Sequence, residues 1–119
     1  MVIERFGDAL IIEGAKYDDN RGYFKEIWNE FEQDKLGFKR SWVQDNLSYS
    51  EKQYTLRGLH LQKAPSQQAK FVSCVAGHIL DVIVDARKNS SLFGKHFLVE
   101  LSEENSKQLF VPEGYLHGF

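Results

Sequence analysis

Apolar residues along the chain come in short runs separated by clusters of Gly, Asn, Asp and Ser, a rhythm that predicts β-strands rather than helices. Ala9-Leu10-Ile11-Ile12-Glu13 is the first such run and Gly14 closes it. Turn residues follow in a row from Tyr17 to Gly22. Tyr23 to Trp28 resumes as a strand. Asn29 to Leu36 is richer in helix formers and charge, which predicts one short surface helix ended by Gly37. Ser41 to Leu47 reads as a strand with a polar middle, and Tyr54 to Gln62 as another after a turn near Ser50-Glu51-Lys52. Lys63 to Gln68 is expected to be a loop.

The second half repeats the rhythm more strongly. Lys70 to Ala76 and His78 to Ala86, split only by Gly77, are expected to form a hairpin. Lys95 to Leu101 and Gln108 to Val111 follow as a further pair around Ser102-Glu103-Glu104-Asn105. Pro112-Glu113-Gly114 turns the chain into a last strand-like stretch, Tyr115 to Phe119. So many short strands with almost no helix predict a single antiparallel β domain, a sandwich or barrel, over residues 1–119.

Alternation within each strand sorts the candidate chemistry. Leu80, Val82 and Val84 share one face of their strand, and Asp81 and Asp85 the other, where they are expected to be solvated. The alternative is that one of them orients a histidine, as carboxylates do beside catalytic imidazoles. Tyr54 to Gln62 is unusual because it carries Arg57 and His60 inside an apolar strand. A charge there needs a partner, and an imidazole is the side chain suited to move a proton near neutral pH. Period 2 puts these two residues on opposite faces. They can share a pocket only if Gly58 marks a bulge or kink that resets the alternation. The plainer readings stay open: a buried histidine satisfied by one carbonyl, and an edge salt bridge for the arginine. Lys70 is either solvent-facing or placed to stabilise an oxyanion.

Composition narrows the partners. With 42% hydrophobic and 13% aromatic residues the chain can bury an interior without metal or disulfide staples. A net charge of -2 leaves no basic field for nucleic acid. The single cysteine, Cys74, excludes an internal disulfide, sits in an apolar run as an inert thiol, and fits a reducing compartment. No cationic leader or membrane-length apolar segment is visible, so the expected address is the cytoplasm. The four histidines, His60, His78, His96 and His117, form no pair at metal-ligand spacing, so no metal site is expected.

Taken in order, Arg21-Gly-Tyr-Phe, Val43-Gln-Asp-Asn46, Arg57-Gly-Leu-His60, Lys70 to Cys74, Asp81 to Arg87, Leu109 to Tyr115 and His117-Gly-Phe closely resemble the dTDP-4-dehydrorhamnose 3,5-epimerase family of nucleotide-sugar biosynthesis. Pro112-x-Gly114-x-x-His117 also resembles the second motif of the wider cupin superfamily, whereas the metal-binding first motif is not reproduced. The resemblance implies a cupin-type jelly roll, incomplete at its C-terminus, that works without a metal or other cofactor. It also implies a homodimer that exchanges N-terminal strands.

The activity it implies is epimerisation at C3 and C5 of a dTDP-4-dehydro-6-deoxy sugar, by removal of a proton beside the C4 ketone. By resemblance His60 is the base and Lys70 holds the enolate oxygen. Arg57 and Arg21 match diphosphate-binding positions, while Phe24, Glu26, Gln44, Asn46 and His117 match other pocket positions. Arg21, Phe24 and Glu26 are expected to reach the partner subunit's site. The family's general-acid tyrosine and the aspartate paired with the base have no counterpart in these residues, and Tyr115 belongs to a different motif. The rival readings are a single-centre epimerase or ketoisomerase on a related sugar nucleotide, and a non-catalytic sugar-nucleotide binding module.

Overall fold

A computed structural model describes all residues from 1 to 119. Nine strands and one helix appear in chain order: β1 (Val2–Phe6), β2 (Ala9–Glu13), β3 (Lys16–Asp19), β4 (Gly22–Lys25), α1 (Glu30–Leu36), β5 (Lys70–Ser73), β6 (His78–Asp85), β7 (His96–Ser102), β8 (Lys107–Val111) and β9 (Tyr115–Gly118). All pairing is antiparallel, in a four-stranded sheet ordered β1-β2-β8-β5, a three-stranded sheet ordered β7-β6-β9, and the separate ribbon β3-β4.

The two larger sheets share one core. Ala9 and Ile11 of β2, Leu109 and Val111 of β8, Ile83 of β6, and Val99 and Leu101 of β7 are all buried in it, with Tyr115 of β9. Alternation then sends Leu10, Ile12 and Phe110 to the other face of the four-stranded sheet, where Phe38, Leu36 and Trp42 cover them. The end of helix α1 and the residues after it supply that cover, and the helix ends follow from sequence. The Asn29 side chain accepts from the backbone N–H groups of Phe31 and Glu32, and Gly37 at φ 83 closes the C-terminus.

The pairing departs from the expected hairpins. Strand β5 bonds β8, and β6 bonds β7 and β9, so Lys70 to Ala76 and His78 to Ala86 lie in different sheets. Likewise β7 and β8 do not pair with each other, because β8 sits between β2 and β5. Both connections cross from one sheet to the other, which turns an apolar face of β6, β7 and β8 into the shared core. A local hairpin would leave those faces uncovered.

Two expected strands do not form. Ser41 to Leu47 and Tyr54 to Gln62 run without regular structure apart from an isolated bridge at His60, and Val43, Leu47, Tyr54 and Leu56 are almost fully exposed. A strand needs a partner's ladder, and these stretches meet one only in the backbone bonds of Arg57 to Phe119 and of His60 to His117. Two strands went unforeseen: Val2–Phe6, and Lys16–Asp19, which together with β4 takes up much of the expected turn.

Asp85 is buried rather than solvated. Arg87 donates to both its carboxylate oxygens, at 3.1 and 2.9 Å, and Ser90 Oγ adds a third bond. The same guanidinium pairs with Asp8 in the β1–β2 turn and donates to the Tyr115 hydroxyl at 2.8 Å. One cation therefore ties β1, β6 and β9 together. It is also the main reason that the Asp85 carboxyl is held down at about 2.

Candidate functional site

The side chains singled out by sequence fall into two groups. The first gathers beside β9. His117 is buried on the inward face of that strand, and its Nε2 lies 2.6 Å from Oδ1 of Asp81 on the neighbouring β6. Neither Asp81 oxygen nor His117 Nε2 has an aligned hydrogen-bond partner, so the two side chains are in close polar contact without a directed bond. Asp81 is fully buried, which corrects the expectation of a solvated carboxylate. It also faces His117 and not His60. The misjudged signal lay in the alternation itself, since Ile83 lies between Asp81 and Asp85 on their shared face and marks that face as the inner one.

Lys70 opens β5 opposite Val111 and therefore shares the inner face of its sheet with Val72 and Leu109. Burial lowers its ammonium pKa from the usual lysine range, and the negative charge of Asp81 works against that shift. Lys70 is thus a half-buried cation facing a buried carboxylate, which corrects the solvent-facing alternative.

His60 joins this group through the backbone. Its N–H donates to the His117 carbonyl at 2.8 Å, and the His117 N–H donates back at 3.0 Å. Arg57 makes the same reciprocal pair with Phe119, at 2.7 and 2.9 Å. Two residues, Gly58 and Leu59, therefore stand opposite one, Gly118. This is a β-bulge of the kind expected at Gly58, which has φ 103. Directly opposed residues in an antiparallel ladder point to the same side. Since His117 and Phe119 are two apart and share a face, Arg57 and His60 share it with them. The Arg57 guanidinium bonds Ser50 Oγ and the Tyr49 carbonyl, at 3.1 and 2.8 Å, and both it and the His60 imidazole remain exposed.

The second group lies elsewhere. Arg21, Phe24 and Glu26 are exposed on or just after the β3-β4 ribbon, where Arg21 pairs with Asp19 at 2.7 Å and Phe24 packs against Tyr17. The ribbon is anchored by Tyr23 and Lys25 to Glu103, in the turn between β7 and β8. None of these three residues bonds to His60, Lys70 or His117. Gln44 and Asn46 bond each other at 3.0 Å on the irregular stretch and are also exposed. Sequence reasoning missed Gly118, whose proximity to Arg57 and His60 is visible only once β9 is paired.

Chemically, the first group offers an accessible imidazole and an arginine on one face beside β9, a half-buried cation on the inner face of the other sheet, and a buried carboxylate–histidine pair. The residues form no cluster of His, Cys, Asp and Glu that would hold a metal ion.

Facing antiparallel sheets with this group at one edge define a cupin-type β domain with a polar site suited to proton transfer. A sequence model of dTDP-4-dehydrorhamnose 3,5-epimerase matches residues 4–119, and the chain belongs to that family. It is 50% identical over 114 residues to the dTDP-4-dehydrorhamnose 3,5-epimerase of Shigella flexneri, covering 94% of this chain and 62% of that protein. Among solved structures, the Bacillus anthracis enzyme of that name, with TDP and PPi bound, superposes with a TM-score of 0.95 at 45% identity. That match covers 100% of this chain and 69% of the other. The Legionella pneumophila dTDP-6-deoxy-D-glucose-3,5-epimerase, in complex with dTDP-4-keto-L-rhamnose, gives 0.90 at 41% identity, covering 99% and 62%. The chain thus spans about three-fifths of the length of the curated relatives it matches.

Proposed function

We propose that this protein acts in the epimerisation of a dTDP-4-dehydro-6-deoxyglucose at C3 and C5, the activity for which its relatives are named. The observation that carries this reading is the shared face of Arg57, His60 and His117, with Asp81 behind His117 and the half-buried Lys70 within reach of the Asp81 charge. In the proposed reaction the C4 ketone acidifies the neighbouring C–H bonds. The neutral imidazole of His60 takes a proton from C3 or C5, and the electron pair of that bond becomes an enolate with its charge on the C4 oxygen. Lys70 stabilises that oxygen from a partly dry position, where a fixed charge is worth more than in water. Return of a proton to the opposite face restores the ketone with the centre inverted. No redox change occurs and no cofactor is required.

Arg57 is assigned to the diphosphate, which a planar fork grips with two bonds where an ammonium acts as a point charge. Replacing Arg57 by Lys should therefore raise the dissociation constant for dTDP about tenfold, a loss of one bond of the usual size for a charged pair. Isothermal titration with dTDP reads this directly, and unchanged affinity would remove Arg57 from the clamp.

Arg21, Phe24 and Glu26 are assigned to the site of a second subunit, and Gln44, Asn46 and His117 to substrate contacts. The support is that the β3-β4 ribbon projects Tyr17 and Phe24 into solvent, more apolar surface than an isolated ribbon holds comfortably. A homodimer exchanging N-terminal strands is the assembly this implies. The cytoplasm is the proposed location, and no helix is long and apolar enough to cross a membrane.

The test is incubation with dTDP-4-dehydro-6-deoxyglucose in deuterated water. Label at both carbons supports the reading, label at one points to a single-centre epimerase, and binding without label points to a binding module.

A further inference from the structure

The backbone approach at the bulge is unusually close. A Cβ built on Gly58 would lie 2.7 Å from the His117 carbonyl oxygen and 2.8 Å from the Gly118 Cα. One built on Gly118 would lie 2.7 Å from the Arg57 carbonyl oxygen and 3.0 Å from Leu59 Cδ2. The atoms met are mainly backbone, which cannot swing aside as the end of a flexible side chain would. The two glycines thus interlock. Gly58 supplies the positive φ that the extra residue requires, and Gly118 supplies the space into which that residue folds.

From this geometry we infer that Gly118 is a positioning residue for the proposed reaction. Its missing side chain seats the bulge that places Arg57 and His60 on the same face as His117. The inference rests on the function proposed above. Without the bulge, three steps along a plain strand would put Arg57 and His60 on opposite faces, so phosphate clamp and base could not serve one substrate. With it, the clamp is set by pairing to Phe119 and the base by pairing to His117, and both inherit the rigidity of β9. Gly118 touches neither substrate nor reacting atoms and acts wholly through the residues it seats.

The test compares Gly118→Ala with Gly94→Ala. Gly94 also has a positive φ, but it stands in a turn where a Cβ meets nothing within 4 Å, so its substitution strains the backbone without touching the site. Wild-type protein is first shown to exchange solvent deuterium into dTDP-4-dehydro-6-deoxyglucose. Failure at this step strikes the proposed function rather than this inference. Given wild-type exchange, Gly118→Ala should lower the rate about 100-fold and weaken dTDP binding about tenfold, an arginine and a general base both being displaced. Gly94→Ala should leave both within about twofold, whatever it does to the melting temperature. A folded Gly118→Ala protein with wild-type exchange and dTDP affinity would overturn the inference. Should that variant not fold, nuclear Overhauser contacts in the wild type decide the matter. The Arg57 and His60 side chains should both reach the His117 and Phe119 rings, and absence of contact from either sinks it.

Discussion

Replacing His60 by alanine is expected to lower solvent exchange at C3 and C5 about 1,000-fold, within the range a positioned general base contributes. The imidazole is exposed and fixed only through its backbone pair with His117, so its removal leaves no buried cavity and little cost to folding. Binding of dTDP should stay within about threefold, because the diphosphate is assigned to Arg57 and not to the imidazole. Exchange measured by NMR on the labelled sugar, beside titration with dTDP, separates the two effects. Loss of exchange with binding retained marks His60 as the base. Retention of exchange would move that role elsewhere, with His117 and Lys70 the remaining titratable candidates of the group.

The largest expected effect on stability belongs to Arg87. Cutting it to alanine leaves the fully buried Asp85 carboxylate with only the Ser90 hydroxyl and a backbone N–H, and it also removes the partner of the Asp8 carboxylate and one donor to the Tyr115 hydroxyl. Removing one partner of a buried ion pair costs about 3 to 5 kcal/mol, because the other charge stays behind. Acid should expose the same dependence. The Asp85 carboxyl is depressed in the folded state from an ordinary 3.8 to about 2, chiefly by the Arg87 bonds. Its contribution, about 2 kcal/mol, is therefore complete above about pH 4 and is lost as pH falls through about 2. Urea unfolding at pH 7, 4 and 2.5 should show the wild type losing stability over the lower interval. Arg87→Ala should start lower and lose less. Parallel curves for the two proteins would mean that Arg87 does not hold Asp85 ionised.

The local features of the fold were legible in the residues. Asn29 and Gly37 bound α1 because capping is a matter of one side chain and one φ angle, both local. The strand rhythm likewise located β2 and β5 to β9. Pairing was not legible, since Gly77 suits a turn between sheets as well as a hairpin turn, and only the burial of whole faces distinguishes them. Asp81 and Asp85 were judged solvated by residue type, although Ile83 between them shares their face and is fully buried. Each aspartate sits inside because a specific partner, His117 or Arg87, comes from outside its own strand. In the site, Gly58 was readable as a bulge because a regular strand would have parted Arg57 from His60. Its counterpart Gly118 was not, because the two meet only through β9. The roles of Arg21, Phe24, Glu26, Gln44 and Asn46 rest on motif resemblance, and the exposed positions of Arg21, Phe24 and Glu26 within one chain fit the proposed second subunit.

The most direct measurement is deuterium incorporation from solvent into dTDP-4-dehydro-6-deoxyglucose by the unaltered protein, followed by NMR at both carbons. Proton abstraction beside the C4 ketone predicts label at C3 and at C5, with inversion at each. Tight binding of the sugar nucleotide with no label at either position would contradict it.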